Sequence, residues 1–258
     1  RPPAARAGRR AGAGGRLVKD ALEAALAGAH PERDVRERLA AYAEMLRERN
    51  RHVNLTAARD VESLAAHILD SLSVLPFVRE PLIDVGSGGG FPGLPLAIAT
   101  GWQVTLVESV AKKARFLEEV VVALSVPVRV VCARAEEAGH DPALREAFAS
   151  ATARALASAP AVLELTVPFL RCGGVAAVQR GLFPLEERQA AADAALMLGA
   201  AVSGEIVLEA SEAGGGGRRI LLVTKLTPTA ARFPRRSGVP AKRPLCLGNA
   251  RPREAALD

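Results

Sequence analysis

The chain has 258 residues, enough for one large domain or a core with a small appendage, and 49% are hydrophobic against 3% aromatic, which points to a core of Ala, Val and Leu. A formal charge of +6 and a pI near 9.8, carried more by arginine than by lysine, favour a phosphate-bearing partner, although a GC-rich genome that encodes arginine cheaply gives the same bias. No apolar run approaches membrane-spanning length, and the scattered cysteines (132, 172, 246) and histidines (30, 52, 67, 140) form no ligand cluster; a reduced, cytoplasmic protein without membrane or metal is expected.

Residues 1–16 are Arg, Gly, Ala and Pro without periodicity and read as a disordered basic arm. Apolar residues then recur at helical spacing, first at Leu17, Val18, Leu22, Ala25 and Leu26, then at Val35, Leu39, Tyr42 and Leu46. A third helix is expected over about 61–75 with Asp60 as its N-cap, completing an N-terminal helical cap at 17–80. From Leu82 the pattern alternates. Strands are expected at 82–85, 103–107, 128–131, 149–153, 175–179, 201–208 and 220–225, with helices such as 110–124, 160–170 and 185–198 between most of them. This predicts an α/β fold over 81–227, a Rossmann-like, seven-stranded, mostly parallel sheet. The last two strands are joined by 209–219, too short for a crossover helix, so they should pair antiparallel through a loop containing the glycines at 214–217. Residues 228–258 form a basic C-terminal tail.

The densest chemical signal is Leu82-Ile-Asp-Val-Gly-Ser-Gly-Gly-Gly-Phe-Pro-Gly93. An apolar strand runs into a loop whose glycines at 86, 88, 89 and 90 let the backbone take positive dihedrals and approach a ligand closely. Gly88 to Gly93 is a literal G-x-G-x-x-G, but a dinucleotide fold needs its first glycine directly after the strand, and that residue is Gly86. The register is instead D-x-G-x-G-x-G, the usual form in class I S-adenosylmethionine (SAM) methyltransferases. The second strand ends at Glu108, where a ribose diol needs an acceptor; a nicotinamide cofactor has the same ribose.

Several separated segments carry a wider resemblance: Asn54-Leu-Thr-Ala57, His67-Ile-Leu-Asp-Ser71, Asp84 to Pro95, Lys112-Lys-Ala-Arg-Phe-Leu117, Arg134-Ala-Glu-Glu137, Thr152-Ala-Arg-Ala155 and Pro240-Ala-Lys-Arg-Pro244. In this order the chain resembles the bacterial small-subunit ribosomal RNA guanine-N(7) methyltransferases, the RsmG or GidB family. The resemblance implies a class I SAM-dependent methyltransferase fold with an N-terminal helical cap, SAM as cofactor, and 16S rRNA or the small ribosomal subunit as partner to a monomeric enzyme. It implies cofactor contacts at Gly86 and Phe91 in the loop, at Ala135 and Glu136 after the third strand, and at Arg154 after the fourth, beside Gly88, Gly90 and Glu108, which the loop register and the strand end already make cofactor-binding candidates. Asp84 orients the loop or the methionine amino group, or only caps the next helix. Phe91 packs on the cofactor or fills core, and Glu136 binds adenine or is a helix-start acid. Arg154, costly to bury without an anion, holds the methionine carboxylate or an RNA phosphate. Asn54 and Arg134 position the guanine or its backbone, or are exposed loop residues.

The implied reaction needs no general base, because N(7) of guanine carries no proton; in-line positioning and exclusion of water remain. The chain has neither the Asn-Pro-Pro-Tyr of exocyclic-amine methylation nor a cysteine placed for carbon-5 methylation. The run from Arg232 to Arg243 is expected to touch RNA backbone or close over the site. Departures from the family pattern fall at Ala66, at 148–151 and at Gln179-Arg180-Gly181, mostly on the substrate side. Two other functions fit parts of the pattern, a SAM methyltransferase of small molecules and a non-catalytic RNA-binding assembly factor.

Overall fold

The computed structural model describes residues 32–58, 60–181, 184–208 and 217–246. The arm at 1–16, the apolar stripe at 17–26, the glycines at 214–216 and the tail beyond 246 lie outside the described residues. Helix α1 (Arg33–Asn50) buries Val35, Leu39, Tyr42 and Leu46, the second sequence stripe. Helix α2 (Val61–Leu72) starts at Asp60, whose carboxylate accepts from the Ser63 N–H at 2.7 Å, the predicted cap. It ends before 75. The hydroxyls of Ser71 and Ser73 turn back to the carbonyls of His67 and Asp70, and Pro76 confines Leu75–Phe77 to a separate 3-10 turn.

All seven predicted strands form: β1 (Leu82–Val85), β2 (Val104–Val107), β3 (Val128–Val131), β4 (Phe148–Arg154), β5 (Leu170–Arg180), β6 (Ala200–Leu208) and β7 (Arg218–Lys225). They make one sheet in the order β3-β2-β1-β4-β5-β7-β6. The pairs among β1 to β5 are parallel, and β7 runs antiparallel to both β5 and β6, as the short connection requires. The connecting helices are α3 (Gly93–Thr100), α4 (Ala111–Leu124), α5 (Ala135–Ala138), α6 (Ala159–Thr166) and α7 (Leu185–Met197). Strand β5 is longer than the predicted 175–179. It begins directly after a 3-10 turn at Val167–Phe169, which also cuts the predicted helix at Thr166, and it runs through Gly173 and Gly174 while its pairing with β4 slips between Phe148 and Ser150.

Adjacent strand residues go to opposite faces. Leu82, Ala177 and Ile220 join a core with α1, α2, α3 and α4, whereas Ile83, Val178 and Leu221 join a second core with α6 and α7. Strand β1, covered on both sides, is buried at all four positions, the pattern of a central parallel strand. Strand order reverses between β1 and β4, and a sheet of this kind collects ligands outside the strand ends at that point. Among the described residues no helix is long and apolar enough to cross a membrane.

Candidate cofactor and substrate site

The loop after β1 is shaped by three positive dihedrals, φ 73° at Gly86, 57° at Gly88 and 110° at Gly90. The N–H groups of Gly86 and Ser87 both donate to the Val107 carbonyl, at 2.8 and 3.2 Å, which ties the loop to the end of β2. The chain then enters α3 through Gly93, where any Cβ would lie 2.3 Å from Leu106 Cδ2 and 2.9 Å from Asp84 Cβ. Helix and strand therefore pack closer here than a side chain allows.

Asp84 lies beneath this turn, fully buried. Its carboxylate accepts from the Thr152 hydroxyl at 2.9 Å and from the Gly93 N–H at 3.3 Å. Burial pushes its pKa up to about 6 against the pull of these hydrogen bonds, and the nearby Glu108 charge adds to the rise. Glu108 staples two loops together: one oxygen accepts from Gly88 N–H and the other from Val110 N–H, both at 2.8 Å. Each of those oxygens keeps a lone pair for a further donor.

Above the loop is a cavity of about 560 Å³, within the usual range for small-ligand sites. Of the residues singled out from sequence, Gly86, Gly88, Phe91, Glu108 and Arg154 line it. Asp84 and Gly90 stand behind the lining. Gly90 packs so that a Cβ would meet Leu94 at 2.5 Å. Arg134 and Asn54 are exposed and lie outside this lining, as do Ala135 and Glu136. Sequence reasoning missed Thr56, His67, Lys113 and Leu156 as lining residues, although three of these stand inside segments that carry the family resemblance. Leu156 had no signal at all. It leans across from the loop after β4, and a Cβ on Gly86 would lie 2.5 Å from its Cδ1.

One wall is an aromatic and cationic stack. Phe91 meets Tyr42 edge-on at 5.7 Å and His67 at 5.5 Å between ring centroids, and the Arg154 guanidinium lies 5.7 Å from its centre. The Tyr42 hydroxyl donates to the Gly89 carbonyl at 2.8 Å, so α1 fixes the glycine loop directly. His67 exchanges a hydrogen bond with the Thr56 hydroxyl at 3.2 Å; burial, then the Arg154 charge, brings its pKa down to about 4, so the ring is neutral at physiological pH. The loop at 54–57 is itself held by Asn50, whose side-chain oxygen accepts from the N–H groups of Leu55 and Thr56 at 2.8 and 3.1 Å. Arg154 finds its anion inside the fold: Asp70 lies 3.2 Å away and also pairs with Arg218 at 3.1 Å. Burial lowers the Arg154 pKa from its ordinary value.

The segment after β7 folds back on the core and ends in the one-turn helix α8 (Val239–Lys242). Arg235 forms a two-pronged pair with Glu164, which is fully buried, at 2.6 and 2.8 Å. Arg145 donates to the carbonyls of Thr229, Phe233 and Gly139 at 2.6, 2.8 and 2.9 Å, and Glu136 accepts from the Gly238 N–H at 2.7 Å. Of the basic residues read as an RNA-facing run, Arg235 is thus committed to the fold, while Arg232, Arg236, Lys242 and Arg243 are exposed. A side-chain-free loop, a buried carboxylate with spare acceptor capacity and an aromatic face suit a nucleoside-bearing cofactor.

The family model for rRNA small subunit methyltransferase G matches residues 35–212, more than half of the chain. Ribosomal RNA small subunit methyltransferase G of Desulfitobacterium hafniense is 39% identical over 235 residues, covering 90% of this chain and 96% of that protein. Its counterpart in Roseiflexus castenholzii is 43% identical over 215 residues, covering 81% and 91%. Among solved structures, an O-methyltransferase from Bacillus cereus in complex with SAH superposes with a TM-score of 0.55 at 17% identity, over 80% of this chain and 97% of that one, and bears out the fold. With that fold, and with identities near 40% over most of its length, the chain belongs to the GidB family of rRNA small subunit methyltransferase G proteins.

Proposed function

We propose that the protein transfers a methyl group from SAM to the N(7) atom of a guanine in 16S rRNA, acting as a cytoplasmic monomer on the RNA or on the small ribosomal subunit. The observation that carries this reading is the cavity over the glycine loop, in a chain of this family. SAM, when bound, supplies a methyl group made electrophilic by its sulfonium. The chain's own residues do the rest. Gly86 and Gly88 let backbone approach the ligand, Glu108 accepts from the ribose hydroxyls, and Phe91 gives an apolar surface. Ala135 and Glu136 are assigned to the adenine side because they follow β3, next to β2 in the sheet. Asp84 acts from behind, holding the turn through Gly93 and Thr152.

No residue needs to accept a proton, since N(7) attacks through a lone pair. His67 is neutral and engaged with Thr56, in keeping with a wall that orients. Catalysis then comes from holding base and donor in line and keeping water out. A purine inside a duplex cannot reach such a cavity, so an unpaired or flipped guanine is the substrate. Arg154 is assigned to the boundary between donor and base, with Asn54 and Arg134 at the exposed rim contacting the RNA.

The test is incubation with methyl-labelled SAM and unmethylated small subunits or their RNA, followed by mapping of the product. Label at guanine N(7) is expected, and Gly86→Arg, which drives a long side chain into Leu156 and the cavity, should remove both SAM binding and transfer. Label on another base atom, on protein or on a small molecule would reject the reading.

A further inference from the structure

The cavity over the glycine loop is lined by one polar ring that methyl transfer itself leaves unused, His67 of α2. Its two nitrogens differ. Nδ1 lies 3.2 Å from the Thr56 hydroxyl, whose oxygen also accepts from the Ala58 N–H at 3.2 Å. Thr56 is buried, and among the described residues Nδ1 is the one acceptor that its hydrogen meets. The hydroxyl therefore donates to Nδ1, and the neutral ring carries its proton on Nε2. The ring is half-buried, and Nε2 has no protein partner; yet it is not sealed in the interior as the Gln179 amide oxygen is, so its N–H opens on the cavity. Burial and the Arg154 charge keep the ring uncharged. That suits a donor beside a sulfonium, because an imidazolium would repel the positive charge that SAM brings and that methyl transfer passes to the base.

Guanine offers this N–H an acceptor. Its O6 lies beside N(7) on the same edge of the base, so a guanine that turns N(7) toward the methyl donor brings O6 into the same cavity. Adenine carries an amino group at that position and would set donor against donor. The two cations of the lining are placed for other work. Arg154 is held by Asp70 and by the His67 carbonyl, at 3.2 Å each, and Lys113 comes from α4, which starts just past Glu108 on the side assigned to the ribose. We propose that His67 Nε2–H donates a hydrogen bond to O6 of the target guanine, making His67 a specificity-determining residue that admits guanine and rejects adenine; this rests on the guanine-N(7) reading above.

The test uses the full chain and small subunits reconstituted from split rRNA, whose synthetic piece carries guanosine or diaminopurine riboside at the position mapped for the wild-type product. The analogue keeps N(7) and has an amino group in place of O6. Wild-type kcat/KM should favour guanosine, and the guanosine-to-analogue ratio should fall roughly tenfold in His67→Asn, the usual worth of one such hydrogen bond. Asparagine keeps an acceptor for Thr56 but has no group at the Nε2 position, whereas glutamine places an amide N–H there, so His67→Gln should restore the ratio. Differences between the two bases in N(7) reactivity or at N1 act on all three enzymes alike and cancel in the comparison. A merely structural role would lower both substrates together, so an unchanged ratio in His67→Asn overturns the proposal, as does a ratio that falls equally in both variants. If neither variant folds, nitrogen NMR of the wild-type imidazoles decides: His67 is expected as the neutral Nε2–H tautomer, and a proton on Nδ1 overturns the assignment. A wild-type product at an atom other than guanine N(7) instead overturns the functional reading, and this inference with it.

Discussion

Two titratable side chains near the glycine loop are held away from their ordinary charge equilibria, in ways that oppose each other with pH. Asp84 rises from 3.8 to about 6 on burial, so its contribution to stability is present below pH 3.8 and is lost as pH climbs through about 6. His67 falls from 6.5 to about 4, so its contribution is present above pH 6.5 and is lost as pH drops toward 4. Over the shared window the two slopes offset. The change in denaturant midpoint between pH 6.5 and 4.5 should therefore lie, in the wild type, between those of the two single variants. Asp84→Asn leaves the imidazole alone and should lose stability on acidification, whereas His67→Gln leaves the carboxyl and should gain it. Groups elsewhere affect all three proteins alike, so three parallel profiles would contradict both assignments.

At the scale of elements, the segment after β7 is held by Phe233 and Leu245, buried in the second core, and by a few charged clips. Glu164 is fully buried on α6, and Arg235 answers it with its backbone N–H as well as its guanidinium. Removing one partner of such a pair strands a charge in the interior. Arg235→Ala should cost about 3–5 kcal/mol in denaturant unfolding. It should also let trypsin cut at the exposed Arg236 and Lys242 before the protein unfolds globally. Cleavage that waits for global unfolding would show that the other contacts hold the segment without Arg235. The same clips fix the segment that carries the exposed Arg232, Arg236 and Lys242.

For the whole molecule, the decisive fact is that the N-terminal helices and one face of the sheet share a core. Leu39, Tyr42 and Leu46 of α1 and Ile68 of α2 are fully buried in the cluster that contains Leu82 and Leu94. The sequence-based division at residue 80 therefore crosses a continuous apolar interior. Unfolding in urea should be a single transition, with far-UV circular dichroism and the fluorescence of Trp102, which packs against that cluster, giving coincident curves. A chain shortened to begin after α1 should show no cooperative transition. Two separated transitions would mean that the helices fold as an independent unit.

The amino-acid sequence by itself determined what is written in local periodicity and composition. The alternation after Leu82 is enough to yield seven strands, the short 209–219 connection enough to make the last pair antiparallel, and the glycines at 86, 88 and 90 enough to mark the positive-φ loop beneath the cavity, because each is a constraint on backbone or on burial within a few residues. Boundaries set by long-range pairing were not legible: β5 reaches back past Gly173 and Gly174 because Leu170 pairs with Phe148 of β4 across an irregularity in the register. The site divides in the same way. Gly86, Phe91, Glu108 and Arg154, singled out from motifs and the family resemblance, line the cavity, but Asp70 as the anion for Arg154, Leu156 over Gly86, and the unpartnered oxygen of Gln179 depend on residues distant in sequence. Only tertiary structure decides these, because an ion pair, a steric contact or a missing hydrogen bond is a relation between surfaces, and one strand or loop carries only its own half.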